Sequence, residues 1–289
     1  MQEVKIGVIG GSGIYDIEGI TETHTERIRT PFGDPSDKIV IGNLEGLPVA
    51  FLPRHGRGHF IAPSELNSRA NIYALKSLGV EQIISVSACG SLKEELKPRD
   101  IVIPDQLFDR TRQRPYSFFG EGIVAHIAFA NPYCTELSGI LYQVAKDLRL
   151  SVHLGGTYVC IEGPQFSTKA ESKVFRSLGF SIIGMTNIPE AKLAREAEIC
   201  YATLGLVTDY DVWKEGEEVT VERVVGNLLA NIENVKKLIK AAIPRLKRER
   251  KCECASALAY AIQTREWAIN RRTSRKLDLL IGKYLKKGS

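Results

Sequence analysis

Short apolar segments of strand length alternate with amphipathic helical patterns along most of this chain. The strand-like segments fall at 4–9, 38–41, 49–52, 83–87, 101–103, 151–159, 181–185 and 202–208. Helical patterns fall at 66–78, 135–148, 169–178, 189–200 and 221–242. This alternation is typical of a parallel sheet covered by helices. We therefore predict an α/β fold, built as a single domain around a mixed, mostly parallel sheet.

The C-terminal segment 245–289 is strongly basic. It holds 13 of the 39 Lys and Arg residues but only 4 of the 34 Asp and Glu residues, in a chain with a net charge of +5. Such a segment can contact nucleic acid or an anionic surface, but we favour a helical extension that packs on a neighbouring subunit. We therefore divide the chain into a domain at 1–244 and a basic helical extension at 245–289, and expect no nucleic-acid partner.

No apolar segment reaches the roughly 18 residues that a membrane-spanning helix requires. Residues 1–5 lead directly into the first predicted strand, without the basic and apolar regions of a signal segment. We therefore expect a cytoplasmic protein without a membrane partner.

Six cysteines are present, two of them in Cys252-Glu253-Cys254. This spacing is too close for a zinc knuckle and no histidine cluster completes a site, so we predict no metal. The low methionine content and charged composition lean toward a thermophilic protein, in which intracellular disulfides occur. We therefore hypothesise two disulfides, Cys252–Cys254 and Cys134–Cys200.

Two acidic residues follow the apolar segment 202–208. In an open α/β sheet, ligands bind outside the carboxyl ends of the strands, which is where Asp209 and Asp211 are expected to lie. A carboxylate buried without partners is costly, so these residues are candidates for chemistry rather than for the core. The alternative interpretation is an Asx-type turn with solvated acids.

A glycine-rich segment follows the first predicted strand. Ser12 lies in Gly10-Gly11-Ser12-Gly13, where glycines let backbone N–H groups come close to an anion. The segment lacks both the third glycine of a dinucleotide-binding loop and the lysine of a P-loop. A simple tight turn is the alternative.

Three further strand ends supply groups that bind anions. They carry Arg54 with His55, Ser87, and Thr186. Arginine offers a planar fork to phosphate oxygens, and a neighbouring histidine can donate a hydrogen bond without carrying a full charge. Together with Ser12, these residues predict a phosphate site more strongly than any one of them alone.

An aromatic residue lies on a loop before a predicted helix. Thr168 and Glu171 form a capping-box pattern, which places the start of that helix after Phe166. Phe166 is then available either to stack on a flat base or to pack as a hydrophobic staple. Both interpretations stay open on the sequence.

The segments above form an ordered set of motifs: GGSG at 10–13, PRHGRGH at 53–59, SACGSL at 87–92, DRTRQRP at 109–115, IEGPQFST at 161–168, MTNIPEA at 185–191 and TDYDVW at 208–213. This set closely resembles the trimeric purine nucleoside phosphorylase family, and within it the members that act on 5′-methylthioadenosine. The resemblance spans roughly residues 4–243 and implies a nucleoside phosphorylase-like fold.

The resemblance implies a role for each matching residue. Phosphate contacts are implied for Ser12, Arg54, His55, Ser87, Thr186 and, through its backbone, Ala88. Nucleoside contacts are implied for Phe166, Ser167, Met185, Val221, Val224 and Val225, and for His126 from an adjacent subunit. Asp209 and Asp211 are implied to be catalytic, the first near N7 of the purine and the second at its exocyclic amine.

The implied activity is phosphorolysis of 5′-methylthioadenosine to adenine and 5-methylthioribose 1-phosphate, in purine and methionine salvage. Phosphate is then a co-substrate, no cofactor is expected, and the chain is expected to form a homotrimer or homohexamer. A broader purine nucleoside phosphorylase is the alternative enzyme. A nucleotide- or nucleic-acid-binding module is the non-enzymatic alternative.

Overall fold

The structure is a computed structural model that describes residues 3–11, 13–14, 16–216, 220–246 and 249–285. Its strands are β1 (Ile6–Gly10), β2 (Thr21–Glu26), β3 (Ile39–Leu44), β4 (Leu47–Pro53), β5 (Gln82–Ser91), β6 (Ile101–Ile103), β7 (Gln106–Arg110), β8 (Val152–Leu154), β9 (Thr157–Ile161), β10 (Ile182–Gly184) and β11 (Cys200–Asp209). Its α-helices are α1 (Ser68–Ser77), α2 (Thr135–Asp147), α3 (Lys169–Ser177), α4 (Asn187–Glu196), α5 (Val221–Ala242) and α6 (Arg271–Ile281).

One mixed sheet joins these strands. Its main path runs β2-β3-β4-β1-β5-β10-β9-β7, while β11 pairs with β5 and with β6, which also pairs with β8. Parallel pairing joins β1 to β4 and β5, β5 to β11, β9 to β7 and β10, and β6 to β8. The remaining pairings are antiparallel. The prediction of a mixed, mostly parallel α/β sheet is confirmed.

Strands β4, β1, β5 and β11 are parallel neighbours at the centre of the sheet. Most of their side chains are buried, as expected for strands covered on both faces. Because parallel neighbours end at the same edge, the residues that follow Gly10 and Pro53 lie at the same edge as the end of β5 and Asp209. This edge is where the sequence places its candidate site residues.

The prediction of one continuous strand at 151–159 is wrong. Gly155 and Gly156 interrupt it with φ angles of 94° and 99°, which glycine adopts without the penalty of a side chain. The Gly155 N–H donates to the Ile103 carbonyl, and the chain changes neighbours there. As a result β8 pairs with β6, whereas β9 pairs with β7 and β10.

The helix predicted at 189–200 extends beyond the C-terminal end of the observed helix. Helix α4 ends at Glu196, Glu198 has a φ of 56°, and Cys200 already begins β11. The sequence also does not predict β2 and β7, because their side chains are mostly exposed and show no apolar alternation.

Helices cover both faces of the sheet. On one face, α2 and α5 bury apolar side chains such as Leu141 and Leu238 against β1, β5 and β11. On the other face, α1, α4 and α6 share a second core that contains Leu75, Leu193 and Leu277. The C-terminal extension therefore packs on the body of its own chain. Within the described ranges, no helix is both long enough and apolar enough to span a bilayer.

Candidate active site

A cavity of about 620 Å³ opens at the carboxyl edge of the central strands. Most of the predicted site residues line it: Arg54, His55, Ser87, Ala88, Phe166, Ser167, Met185, Thr186, Asp209, Asp211, Val224 and Val225. Ser12 lies outside the described residues, and so does the side chain of Val221. The fold thus brings residues from distant segments into a single cavity.

Hydroxyl groups cluster on one part of the cavity wall. Thr186 Oγ1 donates to Ser87 Oγ at 2.9 Å, and Ser87 Oγ lies 3.1 Å from the hydroxyl of the fully buried Tyr158. The predicted strand at 83–87 is too short, because β5 continues to Ser91 and Ser87 is the sixth of its ten residues. Thr186 is the N-cap of α4. These contacts fix two hydroxyls side by side at the cavity surface.

Arg54 lies beside these hydroxyls but is held by a buried ion pair. Its Nε and Nη2 donate to the two carboxylate oxygens of Glu190 at 2.6 and 3.0 Å. Its Nη2 also donates to Ser85 Oγ, and one Nη1–H donates to the Val86 carbonyl. Burial opposes the charged guanidinium, but Glu190 outweighs burial and raises the pKa of Arg54. One Nη1–H remains without a partner in the described part of the chain, and it is available to an anion.

His55 is neutral at physiological pH. Burial, reinforced by the positive charge of Arg54, lowers the pKa of His55 to about 4. Its Nδ1 lies 2.8 Å from the Ile61 carbonyl, and a carbonyl only accepts, so Nδ1 carries the proton. In the neutral ring Nε2 is therefore an acceptor. The sequence interpretation treats His55 as a donor, whereas this geometry suits a protonated phosphate oxygen.

The depressed pKa of His55 predicts an acid-sensitive fold. An unfolded histidine titrates near 6.5, so between about pH 6.5 and 4 the unfolded chain binds a proton that the folded chain does not. The stabilisation from His55 is thus complete above pH 6.5, and a loss of about 3 kcal/mol is expected as the pH falls to 4. Urea unfolding from pH 7 to 4 at fixed protein concentration, without phosphate, measures this loss.

His55→Gln is expected to flatten the pH dependence of the unfolding free energy. His24→Gln is the matched control, because His24 is about half exposed, with 51% of its side-chain surface accessible. If the unfolding free energy depends on pH equally in the unmutated chain and in His55→Gln, the assignment of a lowered pKa to His55 is contradicted.

Two carboxyl groups lie at the end of β11. Burial raises the pKa of Asp209 and that of Asp211. Asp209 accepts hydrogen bonds from Thr208 Oγ1 at 2.6 Å and from the Asp211 N–H at 2.7 Å. Asp211 Oδ2 and Ser167 Oγ are buried and have no hydrogen-bond partner among the residues that the structure describes. Buried polar atoms are rarely left unpaired, so this region suits a polar ligand.

A register shift in the pairing of β11 with β5 orients Asp209. Val207 pairs with Cys89, and Asp209 pairs with Gly90, so that one extra residue, Thr208, is accommodated. Successive side chains of a regular strand face opposite sides of the sheet. Here Thr208 and Asp209 both line the cavity, which is the effect of a β-bulge.

The loop before α3 carries Phe166 into the cavity wall. The predicted capping box is confirmed: Thr168 Oγ1 accepts from the Glu171 N–H, and the Glu171 carboxylate accepts from the Thr168 N–H. Phe166 keeps 58% of its surface exposed, so no staple contact covers it. Its ring is available to stack on a flat ligand.

Sequence reasoning missed Arg114, which holds this region together. The buried Arg114 donates to the Glu162 carboxylate at 2.8 Å and to the carbonyls of Met185 and Ile188, each at 2.6 Å. It therefore ties the Phe166 loop to the segment that carries Met185 and Thr186. The motif at 109–115 contains this arginine, but only the fold reveals its partners.

Helix α5 supplies an apolar wall. Val224 and Val225 line the cavity together with Leu228, Leu229 and Ile232. The last three were not in the predicted set, although they continue the same helical face. This wall can contact an apolar substituent of a ligand bound in the cavity.

His126 does not line the cavity of its own chain. It is exposed, and its backbone N–H donates to the Ala261 carbonyl of the extension at 2.9 Å. An isolated bridge between Ala125 and Ile262 adds to this contact. The extension therefore fixes the segment that carries His126.

Known proteins are similar to this chain over most of its length. The family described as the phosphorylase superfamily matches residues 5–244. The S-methyl-5′-thioadenosine phosphorylase of Geobacter sulfurreducens is 55% identical over 98% of this chain and 100% of its own length. That of Thermofilum pendens is 51% identical over 91% of this chain and 100% of its own length.

Solved structures of related proteins have the same fold. A methylthioadenosine phosphorylase from an Antarctic soil metagenomic library superposes with a TM-score of 0.93 at 49% identity, covering 97% of this chain and 99% of that one. A variant of the Schistosoma mansoni adenosine/methylthioadenosine phosphorylase, in complex with methylthioadenosine, has a TM-score of 0.83 at 36% identity, covering 89% and 96%.

The fold and the cavity at its strand ends are those of a nucleoside phosphorylase. The chain belongs to the phosphorylase superfamily. The family resemblance found in the sequence motifs is thereby confirmed, and the most similar relatives named above are methylthioadenosine phosphorylases.

Proposed function

We propose that this protein cleaves 5′-methylthioadenosine with inorganic phosphate, yielding adenine and 5-methylthioribose 1-phosphate. The observation that carries the proposal is the presence, in one cavity, of anion-binding groups and two carboxyl groups with raised pKa values. The relatives named for this activity, at about half identity over nearly the whole chain, support it.

Phosphate is held by Arg54, His55, Ser87, Thr186 and the Ala88 backbone, with Ser12 assigned to the same role from the sequence. The neutral His55 accepts a hydrogen bond from the P–OH of hydrogen phosphate through Nε2. A phosphate oxygen then forms a bond to the anomeric carbon as the bond from that carbon to the purine breaks. The protein forms no covalent bond, so positioning and electrostatics supply the rate.

Asp209 stabilises the departing base. The purine becomes anionic as its bond to the sugar breaks, and a carboxyl group with a raised pKa holds a proton more readily than an ordinary aspartate. Asp209 places this proton near N7, while the unpaired Oδ2 of Asp211 accepts from the exocyclic amine. Phe166 stacks on the ring, with Ser167 beside it, and Met185 lies against the ribose.

The 5′ substituent faces helix α5. Val224 and Val225 line the cavity, and Val221 belongs to the same helix. This apolar wall favours a methylthio group over a hydroxyl by about 1–3 kcal/mol.

The decisive experiment measures adenine release from methylthioadenosine with and without phosphate. We expect turnover only with phosphate, and one methylthioribose 1-phosphate formed for each adenine. Adenine release at full rate in phosphate-free buffer, with free methylthioribose as the product, would overturn the proposal.

We propose further that the chain assembles as a trimer or a dimer of trimers in which His126 completes the cavity of a neighbour. His126 is exposed and is not among the residues that line the cavity of its own chain, and both observations support this assignment. Sedimentation analysis is expected to give about three or six times the chain mass of 32.0 kDa. His126→Ala is expected to raise the KM for methylthioadenosine by up to about tenfold, whereas His24→Ala leaves it unchanged. A fully active monomer would contradict the assembly.

A further inference from the structure

Four of the six cysteines converge at one point. The Sγ atoms of Cys134, Cys200, Cys252 and Cys254 all lie within 4.8 Å of one another. All six cysteines are free thiols in this structure, so neither hypothesised disulfide is formed. Cys200 and Cys252, which belong to different hypothesised pairs, have Sγ atoms 3.3 Å apart. The contacts therefore describe one cluster of four sulfurs and not two separate pairs.

The cluster joins three segments that are far apart in sequence. Cys134 precedes α2 as its N-cap, and its N–H donates to the Tyr201 carbonyl at 2.8 Å. Cys200 is the first residue of β11. Cys252 and Cys254 lie at the start of a 3₁₀ turn, Glu253–Ser256, in the extension. The cluster thus connects the extension to the body of the chain.

The cluster is remote from the active site. Strand β11 begins at Cys200 and ends at Asp209, and ten residues of strand span about 30 Å. Cys89 and Cys160 lie in a different hydrophobic core. The four clustered thiols are therefore not needed to line the cavity.

The geometry approaches that of a tetrathiolate metal site. Zinc in such a site is tetrahedral with Zn–S bonds of about 2.3 Å, which places the sulfurs about 3.8 Å apart. The Sγ atoms of Cys200 and Cys252 are 3.3 Å apart and no pair of the four is more than 4.8 Å apart, so shifts of about 1 Å or less would accommodate the ion. Three of the four thiols are buried and Cys252 is half-buried, as in a structural site with no open coordination position.

Nearby groups favour thiolates. Arg250 Nη1 lies 4.0 Å from Cys200 Sγ and also donates to the Glu198 carbonyl at 2.7 Å. Cys134 sits at the N-terminus of the 13-residue helix α2. A positive guanidinium and a helix N-terminus both stabilise negative charge on sulfur.

We propose that Cys134, Cys200, Cys252 and Cys254 bind one structural zinc ion. The sequence argument against a metal rested on the spacing from Cys252 to Cys254 and on the lack of a histidine cluster, whereas the fold supplies Cys134 and Cys200 as the other two ligands. Two disulfides are the competing fate of the same four sulfurs, and the experiment separates the two outcomes.

The bound ion would secure the extension. Just beyond Cys254, the Leu258 N–H donates to the buried Glu198 carboxylate at 3.1 Å. The Ala261 carbonyl accepts a hydrogen bond from the backbone N–H of His126. Anchoring residues 252–254 to β11 and α2 fixes the start of this segment. Loss of the ion is therefore expected to loosen the extension before the sheet.

The test uses the full chain purified under reducing conditions with added zinc. Elemental analysis by plasma mass spectrometry is expected to find about one zinc ion per chain. Cys254→Ser and Cys200→Ser are expected to lose it, and Cys160→Ser, a buried cysteine outside the cluster, is the matched control that keeps it. Cobalt(II) added to the metal-free, unmutated chain is expected to give the intense visible bands of tetrahedral cobalt thiolate, a readout that needs no variant to fold.

Three results would each overturn the proposal. One is reduced, folded protein that binds neither zinc nor cobalt when either is supplied in excess. Another is zinc retained in full by the folded Cys254→Ser and Cys200→Ser chains. The third is protein purified without reductant in which only Cys89 and Cys160 titrate as thiols in denaturant and no metal is found, which is the result for two disulfides.

Discussion

Asp209→Asn is expected to reduce kcat/KM for methylthioadenosine by roughly 10²–10⁴-fold, the usual contribution of a positioned general acid. Asparagine keeps the shape of the side chain and can still donate to N7, but it has no transferable proton. Burial raises the pKa of Asp209, so the unmutated group keeps its proton to a higher pH than an ordinary aspartate, and the loss is expected to grow as the pH falls and more of the unmutated chain carries that proton. Steady-state assays of adenine release measure the effect.

Selectivity for the purine is tested at Asp211, the residue assigned to the exocyclic amine. A carboxylate accepts a hydrogen bond from a 6-amino group and repels a 6-oxo group. We expect the unmutated chain to prefer methylthioadenosine to adenosine, and both to inosine, the last by as much as about 10⁴. Asp211→Asn should narrow the difference in efficiency between methylthioadenosine and inosine, whereas Asp34→Asn, at an exposed site outside the cavity, leaves it unchanged. Equal efficiency of the unmutated chain on inosine and methylthioadenosine would refute this account and favour a broader nucleoside phosphorylase.

Arg54→Ala is expected to have two separate effects. The loss of a charged hydrogen bond to phosphate should raise the KM for phosphate about tenfold to a hundredfold. The variant also leaves Glu190 as a buried, unpaired carboxylate, which is expected to cost about 3–5 kcal/mol of unfolding free energy. Phosphate titrations and urea unfolding measure the two effects independently.

A double variant separates the effect of Arg54 on phosphate binding from its effect on stability. Arg54→Met with Glu190→Gln removes both charges, and glutamine still accepts the hydrogen bond that Tyr201 donates at 2.9 Å. Most of the stability should return while the phosphate defect stays. If the double variant also regains the original KM for phosphate, Arg54 does not bind phosphate and acts only through the ion pair.

The sheet and its functional edge could be predicted from sequence because their signal is local. The strands that carry Ser87 and Asp209, and the strand that ends just before Arg54, are apolar segments, and parallel strands bring their carboxyl ends together. The capping box of α3 is equally local. The edge strand β2 could not be predicted, because its six side chains are mostly exposed and carry no apolar pattern.

The partners of the site residues were not predictable, because they depend on contacts between distant segments. Glu190 is 136 residues from Arg54, and the acceptors of Arg114 lie 47 to 74 residues beyond it. The thiol cluster could not be predicted for the same reason, because Cys134 and Cys254 are brought together only by the packing of the extension against the body of the chain. The spacing of residues within a motif carries no information about such long-range contacts.

The bulge at Thr208 makes the chemistry of this protein depend on the local register of one strand. If the strand were regular, Asp209 would face the side of the sheet opposite to that of Thr208, because side chains alternate along a strand. The extra residue lets both side chains line the cavity. A backbone change that restored regular pairing at this point would leave the composition and the net charge unchanged and would still turn the carboxylate away from the cavity.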